Sequence, residues 1–160
     1  MGLWRARTSN AARVTAIAAV IAIACASLPP AGAAAQNAAG AETFKGRLSP
    51  VPINISMMAT IAGSGSLTAT LKGNQFTIEG TFEGLRSPAT TAQIHRAPKG
   101  IPGPVVSGFE LTVSKAVAGT ISGTIELNPD QIADLRKGQW YVQIQSERAP
   151  DGNLWGWLLR

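Results

Sequence analysis

From Glu42 onward, apolar and polar residues alternate with a period of two, the spacing of a half-buried β-strand. Phe44, Gly46 and Leu48 alternate with Thr43, Lys45 and Arg47. Leu67, Ala69 and Leu71 alternate with Ser66, Thr68, Thr70 and Lys72. Gly73-Asn74 reads as a two-residue hairpin turn. The return strand sets Phe76, Ile78, Gly80 and Phe82 on one face, against Thr77, Glu79, Thr81 and Glu83. Val105, Ser107, Phe109, Leu111 and Val113 continue the habit, as do Ile121, Gly123, Ile125 and Leu127. Such alternation gives each strand one dry face and one wetter face, the pattern of antiparallel sheets over a single core. The predicted fold is therefore all-β. Seven or eight strands with Gly/Pro turns form an antiparallel β-sandwich of immunoglobulin-like form or a partly closed barrel, spanning about 42–159.

One short helix interrupts the strands. Asn128 is an N-cap residue, Pro129 takes the first helical position, and Gln131 stands three after the cap. Ile132 and Leu135 share a face, and Gly138 suits a left-handed C-cap. The spacing predicts a helix over 129–136 that covers one end of the fold.

The N-terminus reads differently. Arg5, Arg7 and Arg13 precede an apolar run over 14–26, Leu28-Pro29-Pro30 breaks it, and Ala33-Ala34-Ala35 offers a small-x-small cleavage pattern. Residues 1–35 thus have the three regions of a secretory signal peptide. The apolar run is short of the roughly 20 residues needed to span a bilayer, so no transmembrane segment is expected in the mature chain. Cleavage near Ala35 predicts a secreted or periplasmic protein. The alternative is a lipoprotein anchored at Cys25, although Ala22 stands where such a signal carries Leu. Residues 36–41 read as a flexible lead-in, and 42–160 as one β domain.

Removing the leader changes the composition. The mature chain, 36–160, has no cysteine and cannot form a disulfide. It keeps eleven Lys/Arg against nine Asp/Glu, a net charge of only +2, and no basic patch with interleaved aromatics points to nucleic acid.

Two C-terminal segments carry a resemblance. Ala92-Gln93-Ile94-His95-Arg96-Ala97-Pro98 runs on to Gly103-Pro104, and Leu135-Arg136-Lys137-Gly138-Gln139-Trp140-Tyr141-Val142 runs on to Gly152-Asn153-Leu154-Trp155-Gly156-Trp157-Leu158. With Phe44-Lys45-Gly46-Arg47-Leu48-Ser49, Thr60-Ile61-Ala62-Gly63, Phe82-Glu83-Gly84-Leu85 and Asn128-Pro129-Asp130-Gln131, in order, the chain resembles the CHRD domain. That module is repeated in chordin and found singly in many secreted bacterial proteins. The resemblance covers about 43–158. It departs from the family at polar positions. Gln93 and Gln145 stand where the family places histidines, Asn153 where it places Glu, Trp155 for Arg and Trp157 for Gln.

By alternation, Ile94, Val142, Ile144, Leu154 and Leu158 fit the dry face. Gln93, His95, Gln143, Gln145, Asn153, Trp155 and Trp157 fit the opposite one. The resemblance implies that a typical member carries several histidines, a Glu and an Arg there, a set able to hold a metal or an anion. Here one histidine is left among neutral amides, short of the three or four ligands a metal site needs. No metal, cofactor or catalytic residue is predicted. No nucleophile-elbow or phosphate-loop pattern occurs, and Glu79, Glu83, Asp130 and Asp134 read as solvated charges. The candidate binding face is Gln93, His95, Gln145, Asn153, Trp155 and Trp157. Trp155 and Trp157 form either an exposed platform for sugar rings or a protein, or a covered pair. The expected function is that of an exported, non-enzymatic module binding a protein or a cell-envelope component. The alternative is a degenerate relative of a metal-binding or enzymatic β-sandwich domain.

Overall fold

The structure is a computed structural model that describes residues 40–52 and 54–160; the predicted signal peptide and residues 36–39 of the lead-in lie outside the described residues. Among the described residues eight strands follow one another: β1 (Ala41–Pro50), β2 (Ser64–Lys72), β3 (Gln75–Glu83), β4 (Ala89–Arg96), β5 (Val105–Val113), β6 (Gly119–Glu126), β7 (Trp140–Ser146) and β8 (Ala149–Trp157). One helix, α1 (Pro129–Arg136), separates β6 from β7, and a single 3-10 turn (Ile55–Met57) lies between β1 and β2. Every pairing is antiparallel, in the order β1-β2-β3-β6-β5-β4-β7-β8.

The sheet closes. β1 pairs along its length with β2, and its far end pairs with β8 through Ser49–Trp155 and Pro50–Leu154. A bridge between Lys45 and Leu159 extends the closure. The architecture is therefore a closed barrel and not the immunoglobulin-like sandwich that the alternation allowed. Both arrangements have one dry face per strand, so periodicity does not separate them; the long-range partner of β1 does. Close backbone approach at glycines permits the curvature. A Cβ on Gly65 would fall onto the Thr81 carbonyl oxygen, and one on Gly156 would lie 2.6 Å from the Arg47 carbonyl oxygen.

The interior is filled by the predicted dry-face residues. Phe44, Leu48, Leu67, Leu71, Phe76, Ile78, Phe82, Ile121, Val142, Ile144 and Leu154 are all buried in one cluster. Each such side chain contributes about 1.5–3 kcal/mol on leaving water. The Gly73-Asn74 turn joins β2 to β3 through the Lys72–Gln75 pair, with Gly73 at φ +64°. In α1 the capping box is complete. The Gln131 N–H donates to Asn128 Oδ1 at 2.9 Å, and the Asn128 N–H to Gln131 Oε1 at 2.9 Å. Leu135 enters the core and Ile132 packs against it.

β5 departs from its pattern. Leu111 is buried as expected, but Val105 is exposed and Val106 packs against the core instead. Gly108, at φ +87°, breaks the strand between the two halves, and the β4–β5 register shifts between Gln93 and His95. An irregularity of this kind exchanges inside for outside.

Candidate binding face

β7 is buried on both of its faces. Trp140, Val142 and Ile144 point into the main core. Tyr141 belongs to a second apolar cluster with Ala97, Trp155 and Trp157, against which Val51 packs. Register defines the outer face as a grid. One row runs from His95 on β4 to Tyr141 on β7 to Trp157 on β8, and the next from Gln93 to Gln143 to Trp155.

The aromatic rings make one packed group. His95 stacks on Tyr141 at 5.0 Å with 20° between the planes. Tyr141 meets Trp157 at 4.7 Å and Trp155 edge-on at 6.0 Å, and the two indoles lie 4.6 Å apart. Aromatic pairs at such spacings add about 0.5–1.5 kcal/mol each beyond area burial.

The segment 97–104, which follows β4, folds back over this group. His95 Nδ1 lies 2.9 Å from the Gly103 carbonyl oxygen, which only accepts, so Nδ1 carries the hydrogen. The Tyr141 hydroxyl accepts the Gly103 N–H at 2.9 Å and lies 3.3 Å from the Gly103 carbonyl oxygen, and the Trp157 indole N–H donates to Ala97 O at 3.3 Å. Trp155 and Trp157 are each 9% exposed, which makes them a mostly covered pair and not an open platform. His95 Nε2 is buried and has no partner among the described residues.

Below the rings the amides bond one another. Thr91 Oγ1 donates to Gln145 Oε1 at 2.7 Å, and Gln145 Nε2 donates to Gln93 Oε1 at 2.9 Å. Gln143 Nε2 donates to the Asp151 carbonyl oxygen at 2.7 Å. These are the hydrogen bonds that amides buried on a sheet require.

The structure thus brings Gln93, His95, Gln145, Trp155 and Trp157 onto one face and separates Asn153. Asn153 shares strand parity with Trp155, but it is fully buried. Its Nδ2 donates to Ser146 Oγ at 2.9 Å, and its Oδ1 accepts the Ala62 N–H at 3.3 Å. The register between β7 and β8 shifts between Ile144 and Ser146, which leads Asn153 away from the glutamines to join β7 to the chain entering β2. Sequence reasoning left out Tyr141, the residue that every other ring touches. Its parity with Gln143 was the available signal.

An eight-stranded antiparallel barrel with one short capped helix and an aromatic-amide outer face on β4, β7 and β8 defines the class of domain. The chain belongs to the CHRD domain family, whose model matches residues 48–158. No match was found among curated proteins or among solved structures. Among the described residues, no helix is long and apolar enough to cross a membrane.

Proposed function

We propose that this chain is an exported, non-enzymatic CHRD module that binds a protein or cell-envelope component through the outer face of β4, β7 and β8. The observation that carries the reading is the withdrawal of the chemically capable side chains from solvent, into internal bonds or, for His95 Nε2, into a buried position. His95 gives Nδ1 to Gly103, and Gln145 bridges Thr91 and Gln93. Groups fixed in this way shape and orient a surface; a nucleophile or general base needs its reacting atom within reach of substrate. Export rests on the tripartite leader in 1–35, with Cys25 lipidation as the competing route.

The test is capture of envelope material by the immobilised exported protein, compared with Trp155→Ala. The variant's fold is checked by far-UV circular dichroism. The reading expects capture by the wild type and its loss in the folded variant. Undiminished capture by folded Trp155→Ala contradicts it.

A further inference from the structure

The barrel closes at a seam between β1 and β8, and the seam has its own surface. Ser49–Trp155 and Pro50–Leu154 pair at one end, and Lys45 bridges Leu159 at the other. The same register sets Arg47 opposite Trp157. Glycines draw the two backbones together between these points: a Cβ on Gly46 would lie 2.8 Å from the Trp157 carbonyl oxygen. Outside the seam is a groove of about 280 Å³ lined by Arg47, Ser49, Lys99, Trp155, Trp157 and Leu159. It continues past Arg47 and Trp157 into a hollow of about 420 Å³ bordered by Lys45, Ser66 and Thr68.

Charge is distributed unevenly around it. Lys45, Arg47 and Lys99 are exposed and form no ion pair among the described residues, and no carboxylate lines either hollow. The ion pairs found use Glu42 and Asp134, neither of which lines the hollows. With eleven Lys/Arg against nine Asp/Glu in 36–160, these three cations exceed the net charge of the whole mature region. Cations of one sign lining a concave wall focus the field and attract anions.

We propose that the seam groove binds an acidic polysaccharide, with Arg47, Lys99 and Lys45 meeting its carboxylates. Ser49, Ser66 and Thr68 meet its hydroxyls, and the small exposed margins of Trp155 and Trp157 border its path. The assignment rests on the reading of the domain as a binding module and names the class of its ligand. A neutral glycan would leave the three cations without partners. A lipid surface is a poorer fit, because the indoles lie at the floor of a groove and are 9% exposed, whereas interfacial anchors project their rings.

The test titrates the exported protein with a short oligogalacturonate, following indole emission and heat. A neutral oligosaccharide of equal length and phosphatidylglycerol vesicles serve as comparisons. The expected result is saturable binding of the oligogalacturonate alone, weakened by added salt. An Arg47→Gln/Lys99→Gln double variant, exposed at both positions and checked for an unchanged melting temperature, is expected to bind about tenfold or more weakly, since exposed charge contacts are individually modest but act together. Absence of binding, equal binding of the neutral sugar, binding of vesicles alone, or undiminished binding by the folded double variant overturns the proposal. If the protein captures envelope material that excess oligogalacturonate does not displace, the groove assignment falls while the module reading stands. If it captures nothing of any kind, both fall.

Discussion

Asn153 shows how a single polar residue can look like a surface group in sequence and serve as a joint in the fold. Alternation places it beside Trp155, and it stands where the family places a Glu. Its amide instead ties Ser146 on β7 to the Ala62 N–H ahead of β2, at full burial. Asn153→Ala strips a partner from the buried Ser146 hydroxyl and from the part-buried Ala62 N–H. It is expected to destabilise the domain by about 1–3 kcal/mol, read as a lower urea midpoint at unchanged m-value. A midpoint equal to the wild type's would show that the joint carries no weight. Gln93, His95 and Gln145 were legible as neighbours because strand parity and the resemblance agreed on them. Tyr141 was hidden by its neighbour: Trp140 is a larger apolar residue, and only the observed register shows that both rings are buried, on opposite faces of one strand.

At the level of elements, local signals served well wherever the structure is local. The β2–β3 hairpin follows from Gly73-Asn74 between two alternating runs, and α1 from Asn128, Pro129 and Gln131, because each depends on residues within a few positions of one another. β5 was legible in extent but not in facing. Its run of Val105, Ser107, Phe109, Leu111 and Val113 implies one uninterrupted face, yet Gly108 breaks it and Val106 turns inward. A period-two pattern carries no mark of a bulge when apolar residues flank the break on both parities. Gly65 on β2 tests the close strand approach. Gly65→Ala puts a methyl against the Thr81 carbonyl oxygen, Leu48 and Phe82. Backbone must move to admit it, at an expected cost of about 1–3 kcal/mol, visible as a lower melting temperature. A variant as stable as the wild type would mean that the barrel yields freely there.

For the whole molecule, closure is the feature the sequence carried least. Nothing near Ser49 or Trp155 announces that they pair, since more than a hundred residues separate them and both a sandwich and a barrel satisfy the same alternation. Closure nonetheless creates the seam on which Arg47 and Trp157 meet, so the candidate ligand groove was out of reach of any local reading. The proposed export is a separate matter, tested by where the mature chain starts. N-terminal sequencing is expected to begin at Gln36, whereas a lipidated start at Cys25 would establish an anchored form. The claim that binding occurs on the outer face of β4, β7 and β8 and along the adjoining seam is tested most directly by backbone amide NMR of the exported protein, titrated with the envelope material it captures. The account predicts perturbed amides at 45–49, 66–68, 93–100, 141–145 and 154–159, with the outer face of β3 and β6 unmoved. Perturbations concentrated instead on Glu79, Thr81, Thr120 and Ser122 would contradict it.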